Sequence, residues 1–221
     1  MIKGRNPSPS RPRRRDPLGA PDATGLVGPD LFLDGMSFHF RGRVSGSKSS
    51  TNRAVGCAAR ADGTSRLRGA LFADDTYVMM HALRAFGARI EEFPDREEIL
   101  IHGTGGNLAR PTGDVYTENS GITMRFILAI AAAAGIECTI TGNARMQERP
   151  IKDLVDALNS RGAKIGYTRR EGYPPVHVAG RFEGGDIEIA GDVSSQFVSA
   201  ILLAAPLTGE SVEIRITGGD L

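Results

Sequence analysis

Three stretches of this sequence place small hydroxyl, glycine or amide residues directly before an apolar run: Ser45-Gly46-Ser47-Lys48-Ser49-Ser50, Glu118-Asn119-Ser120-Gly121 and Val193-Ser194-Ser195-Gln196. Such residues cap helices, because their side chains accept hydrogen bonds from the free N–H groups of the first turn. A helix start also carries open N–H donors and the positive end of the peptide dipole, so it attracts phosphates and carboxylates. Lys48, Arg53, Arg125 and Arg145 lie in or just after these turns, which is more positive charge than capping requires. Guanidinium forks match pairs of phosphate or carboxylate oxygens, and lysine adds a point charge. A lone surface ion pair contributes only about 0–1 kcal/mol, so any one of the four cations would serve equally as a surface partner. Their shared location predicts a ligand with several negative charges.

Other chemistries are less well matched. The turn at 45–50 lacks the second glycine of a phosphate-binding P-loop, which disfavours nucleotide hydrolysis. Asp74-Asp75-Thr76 precedes a helical pattern and reads as an N-cap rather than a metal-binding carboxylate pair. His39, His81, His102 and His177 have no metal-ligand spacing to one another or to Cys57 and Cys138, so no metal is expected. Cys57 falls in an alanine-rich helical stretch and Cys138 in an apolar strand, the usual placing of buried free thiols in a reducing compartment.

The elements that must position these turns repeat along the chain. Asn52-Arg53-Ala54 aligns with Met124-Arg125-Phe126 at an offset of 72 residues, and Gly87-Ala88-Arg89-Ile90 with Gly162-Ala163-Lys164-Ile165 at an offset of 75. Each unit reads as a polar turn, an alanine-rich helix, a strand, a second helix, Gly-Ala and a strand pair. This predicts an α/β protein of repeated βαββαβ units, the third of which begins at Val193 and is incomplete at Leu221. Residues 1–30, with Arg5, Arg11, Arg13, Arg14 and Arg15 among prolines and serines, read as a disordered basic leader, and residues 31–221 as the folded domain.

The whole chain carries 27 Lys and Arg against 26 Asp and Glu, so nucleic acid is an unlikely partner outside the leader. The most apolar run, Phe126 to Ala134, falls short of the ~20 residues that span a bilayer and reads as a core helix. Residues 16–30, broken by Pro, Gly and Asp, do not continue the basic start as an export signal. A cytoplasmic protein is expected.

Taken in order, Gly46-Ser47-Lys48-Ser49 with Asn52-Arg53, then Asp74-Asp75-Thr76, Asn119-Ser120-Gly121 with Met124-Arg125, Arg145-Met146-Gln147-Glu148-Arg149-Pro150-Ile151 and Ser194-Ser195-Gln196-Phe197 resemble the 3-phosphoshikimate 1-carboxyvinyltransferase (EPSP synthase) family of enolpyruvyl transferases. The resemblance implies the family's inside-out α/β barrel fold, with helix starts facing a cleft between two domains, and no cofactor. It implies that Lys48 touches both substrates and takes part in catalysis. Ser49, Arg53, Ser194, Ser195 and Gln196 would hold shikimate 3-phosphate, and Gly121, Arg145 and Gln196 would hold phosphoenolpyruvate. The acid and base of the family come from its second domain, so the partner expected for this chain is a C-terminal half.

Three positions depart from the family pattern: Ser45 replaces Pro, Glu118 replaces Gly and Ile122 replaces Thr. Glu118 puts a carboxylate where anions are expected, which keeps open transfer to another phosphorylated acceptor. A non-catalytic anion-binding or nucleic-acid-binding module is the alternative from another class.

Overall fold

The computed structural model describes residues 30–33, 36–39, 45–190 and 194–218. The chain divides into two units, Met1–Val44 and Ser45–Leu221. In the first, strands β1 (Asp30–Leu33) and β2 (Met36–His39) pair antiparallel, with Leu31 opposite Phe38 and Leu33 opposite Met36. Residues 1–29, nearly all of the expected leader, lie outside the described residues.

The second unit carries the repeat. Its first copy runs α1 (Lys48–Ala58), β3 (Thr64–Arg68), α2 (Asp74–Ala85), β4 (Arg89–Phe93) and β5 (Glu98–His102). The second runs β6 (Val115–Tyr116), α3 (Gly121–Ala134), β7 (Cys138–Thr141), α4 (Lys152–Asn159), β8 (Ile165–Tyr167) and β9 (Val176–Val178). The third contributes β10 (Gly185–Ala190), α5 (Ser195–Ala204) and β11 (Val212–Thr217).

The sheets follow the copies, in the orders β3-β5-β4, β6-β7-β9-β8 and β10-β11. In the second and third sheets the strands flanking the first helix, β6 with β7 and β10 with β11, pair in parallel. Equivalent positions even repeat a side-chain contact. Thr64 lies opposite His102 with Oγ1 3.0 Å from Nδ1, and Thr139 opposite His177 with the same atoms 3.2 Å apart.

The core forms around α3. Every residue from Gly121 to Ala133 is buried, as expected of a helix that is apolar on all sides. It packs on α1, α2, α4 and α5, with β7 and β9 of its own sheet behind it. Alanine at 129 and 131–134 keeps the helix narrow where these neighbours approach. Gly135 ends it in the left-handed conformation (φ 67°), and its N–H returns to the Ala131 and Ala132 carbonyls, the C-cap role that glycine fills without strain. The outer helices are one-sided: α4 buries Leu154, Val155, Ala157 and Leu158 and exposes its charges.

Two expectations are corrected here. Asp74 and Asp75 do not cap α2, whose N-cap is Ala73 in an extended conformation without a side-chain hydrogen bond. Both carboxylates sit in the first turn, where they favour the helix dipole, and Asp75 is engaged elsewhere. Cys57 is exposed, because α1 turns Thr51, Asn52, Val55 and Ala58 inward and Cys57 to the opposite face. Cys138 is buried as expected, and burial pushes its thiol pKa up to about 11.

Leu128, fully buried at the middle of α3, provides the test of this core. Leu128→Ala is expected to lower the unfolding free energy by about 2–5 kcal/mol, whereas Leu202→Ala on the exposed side of α5 should stay within about 0.5 kcal/mol. Urea unfolding followed by circular dichroism measures both, and equal losses would contradict the placement of α3 at the centre.

Candidate functional site

The starts of four helices meet through polar contacts. Ser47 caps α1, its Oγ accepting from Ser50 N–H at 3.3 Å. Lys48, the first residue of α1, reaches α2 with Nζ 2.7 Å from Asp75 Oδ2. Ser120 caps α3 by accepting from Thr123 N–H at 3.4 Å, and Thr123 Oγ1 donates to the Asp75 carbonyl at 3.5 Å. Ser194 caps α5 by accepting from Gln196 N–H at 3.3 Å. Burial acts to raise the pKa of the Asp75 carboxyl, but hydrogen bonds from Lys48 and Ser120 and the charges of Lys48 and Arg149 outweigh it and hold the group below its ordinary value.

Two arginines tie these starts together. Arg53 of α1 donates from Nη2 to Ser199 Oγ of α5 at 2.9 Å and from Nη1 to the Ser49 carbonyl at 3.1 Å, and its guanidinium lies 5.6 Å from the ring centre of Phe126 on α3. Arg125 of α3 donates from Nη1 to Gln196 Oε1 of α5 at 2.8 Å and lies 5.0 Å from the Phe197 ring. The face of an aromatic ring attracts a cation, and the attraction strengthens away from water. Arg125 is only 9% exposed. Burial, with the charge of Arg149 beside it, pushes its pKa down to about 10.

These contacts gather most of the residues singled out in the sequence. Lys48 and Ser49 stand exposed at the head of α1 with the half-buried Arg53 one turn further on. Gly121 is buried at the head of α3, and Ser194, Ser195 and the half-buried Gln196 occupy the head of α5. Arg145 is placed differently from the expectation: it lies in the loop between β7 and α4, just before the short 3-10 turn Met146–Glu148, and not in one of the three turns that open α1, α3 and α5. That loop packs against the turn before α3, with Asn143 N–H donating to the Glu118 carbonyl at 2.9 Å. Arg145 is exposed, and its guanidinium makes no hydrogen bond or ion pair among the described residues, although its carbonyl accepts from Glu148 N–H.

Arg149, at the end of the same loop, is a site residue to which the sequence assigned no role. Its Nη1 donates to the Asn119 carbonyl at 3.1 Å. A methyl group on Gly121 would lie 2.6 Å from Arg125 Nη1 and 2.8 Å from Arg149 Nη1, so the glycine leaves the space that both guanidiniums fill. The signal in the sequence was the second arginine of Arg145-Met146-Gln147-Glu148-Arg149, only four residues from the first.

Of the positions that depart from the pattern, Ile122 packs into the core. Glu118 is exposed, holds a left-handed backbone (φ 48°) and lines a cavity of 180 Å³ with Asp74, Asp75, Asn119 and Ser120. The 520 Å³ cavity between α4 and β10 is larger but lies away from the helix starts. Asp153, Asp156, Asp186 and Glu188 on its lining suit it poorly to an anion. No group of three or more His, Cys, Asp or Glu able to hold a metal occurs among the described residues.

The sequence pattern of the family EPSP synthase (3-phosphoshikimate 1-carboxyvinyltransferase) matches residues 41–220. A 3-phosphoshikimate 1-carboxyvinyltransferase of Herminiimonas arsenicoxydans is 41% identical over 183 residues, which is 81% of this chain and 41% of the relative. The pentafunctional AROM polypeptide of Malassezia globosa is 43% identical over 192 residues, covering 80% of this chain and 12% of that polypeptide. The solved structure of EPSP synthase from Acinetobacter baumannii superposes with a TM-score of 0.68 at 33% identity, covering 73% of this chain and 37% of that one. The chain thus spans about two fifths of the length of the 3-phosphoshikimate 1-carboxyvinyltransferases it matches.

The Lys48–Asp75 pair predicts a pH effect. A carboxyl with a depressed folded-state pKa contributes stability that is present above its ordinary pKa of about 4 and lost as pH falls through the folded value. Asp75→Asn is expected to cost no more than about 1 kcal/mol at neutral pH, the worth of a part-exposed pair, and to flatten the decline of stability in acid. Unfolding free energies measured across the acid range check this, and parallel declines in both proteins would contradict it.

Proposed function

Because the chain belongs to the EPSP synthase family, we propose that it is the substrate-binding N-terminal part of an enzyme that transfers the enolpyruvyl group of phosphoenolpyruvate to shikimate 3-phosphate. The observation that carries this reading is the meeting of the α1, α3 and α5 starts through Arg53, Arg125 and Gln196, with Lys48 and Arg145 exposed beside them. Two phosphorylated acids need such a concentration of donors, and helix starts supply it ready oriented.

In this reading the shikimate 5-hydroxyl gives up its proton and adds to the substituted enol carbon of phosphoenolpyruvate while a proton goes to the methylene, and loss of phosphate together with a proton of the new methyl group then restores the double bond. This chain contributes binding and charge. Lys48 bridges the two substrates, and its Nζ, already held by Asp75, keeps two further donors for their oxygens. Ser49, Arg53, Ser194, Ser195 and Gln196 hold shikimate 3-phosphate. Gly121, Arg145 and Gln196, with Lys48, hold phosphoenolpyruvate. The groups that move protons come from the family's second domain, so the 221-residue chain alone is expected to bind and not to turn over. No helix among the described residues is long and apolar enough to cross a membrane.

Glu118 favours a second reading, transfer to a different phosphorylated acceptor, because its exposed carboxylate lines an acidic cavity beside the start of α3. Combining the chain with the C-terminal half of a relative and measuring phosphate release separates the two. Turnover with shikimate 3-phosphate supports the first reading, and turnover only with another phosphorylated acceptor supports the second.

Arg145 supplies the sharper prediction, since its exposed guanidinium makes no hydrogen bond or ion pair among the described residues. Arg145→Ala is expected to weaken phosphoenolpyruvate binding by about 1.5–3 kcal/mol, the worth of a charge-assisted hydrogen bond, with the melting temperature unchanged. Calorimetric titration beside a thermal melt tests it, and unchanged affinity with a lowered melting point would make Arg145 structural.

A further inference from the structure

Arg125 and Arg149 present an arrangement that the fold alone does not explain. Their Nη1 atoms converge on the same small space above Gly121, at the start of a fourteen-residue helix. Like charges at this range repel, and among the described residues no carboxylate lies at ion-pair distance from either, the Asp75 carboxylate acting on Arg149 only from further away. Each has one anchoring hydrogen bond that leaves other donors open, Arg125 to Gln196 and Arg149 to the Asn119 carbonyl. Arg125 is nine-tenths buried, and its Nε has no hydrogen-bond partner. A buried guanidinium without a counter-charge is costly, and an anion on its remaining Nη donors offsets part of that cost.

We propose that Arg125 and Arg149 form a paired anion clamp at the head of α3, taking the oxygens of one carboxylate or phosphate group. This deepens the functional reading above and rests on it for the identity of the natural ligand, phosphoenolpyruvate, to which the family resemblance assigns neither residue. An oxyanion here meets two guanidinium edges and the positive end of the α3 dipole together. Its charge offsets the repulsion between the arginines. Arg125 is the fixed member, held by Gln196 and the Phe197 ring. Arg149 is the half-buried member at the end of the loop that also carries Arg145. The loop would therefore tighten on α3 when the anion binds. Gly121 is required because any side chain there would occupy the position of both guanidiniums.

The test is titration of the full chain with inorganic phosphate, with pyruvate as a phosphate-free carboxylate, and with phosphoenolpyruvate, followed by calorimetry and by the Gly121 amide resonance. Arg149→Gln is expected to weaken binding of the anion that occupies the clamp about 10-fold or more, and Arg149→Lys to recover part of it because charge returns without the fork. The arm in which the loss appears, phosphate or pyruvate, identifies the group held. A thermal melt of each variant confirms that it folds, with Arg149→Lys standing in if Arg149→Gln does not. Unaltered affinity of the folded Arg149 variants for all three probes, or no binding of phosphate or pyruvate at Gly121 in the unaltered chain, would overturn the clamp. The first of these results would leave the functional reading in place if Arg145→Ala still weakened phosphoenolpyruvate binding. Arg149-dependent binding of phosphate or pyruvate without any binding of phosphoenolpyruvate would uphold the clamp and refute the functional reading instead.

Discussion

Helix α3 cannot face water on any side, and the rest of the second unit is arranged to satisfy that requirement. Thirteen consecutive residues, from Gly121 to Ala133, are buried, so other elements must cover the whole circumference of the helix. Burial of apolar surface at about 25 cal/mol per Å² drives this wrapping, and the narrow alanine-rich surface lets α1, α2, α4 and α5 come close. The sheets then lie outside the helices, each with an exposed face. A helix enclosed in this way brings its neighbours' ends near its own, which is how three polar turns far apart in sequence come to face the same region.

That convergence has an electrostatic cost, which the side chains offset. The first turns of α1, α3 and α5 all present positive dipole ends, and Lys48, Arg53, Arg125 and Arg149 add full charges. Asp75 neutralises Lys48 at 2.7 Å, while Phe126 and Phe197 lie against Arg53 and Arg125. The aromatic faces hold the guanidiniums in place without consuming their hydrogen-bond donors. A site assembled this way keeps its positive character and remains ordered before any ligand arrives, and such preorganisation lowers the entropy lost on binding.

Much of this was legible in the sequence for identifiable reasons. Ser47, Ser120 and Ser194 could be recognised as caps because capping is a local interaction over two or three residues. The repeat could be read because alanine-rich helices and Gly-Ala steps recur at nearly constant spacing. Asp75 was misread because its role depends on Lys48, 27 residues away, and side-chain pairing across helices leaves no local trace. Cys57 was misplaced because an alanine-rich stretch hides which face of α1 turns inward. Arg149 was passed over because the chain must fold its loop back onto Asn119 before its guanidinium meets that of Arg125. Local chemistry was readable, and the long-range juxtapositions that complete the site were not.

We propose that the heads of α1, α3 and α5 form one anion site rather than three separate ones. Amide chemical shifts followed during phosphoenolpyruvate and shikimate 3-phosphate titrations of the isotopically labelled chain test it most directly. A single site predicts that Ser49, Gly121 and Gln196 shift together, with saturation by one substrate altering the affinity for the other. Independent shifts at the three heads, with each substrate indifferent to the other, would contradict it.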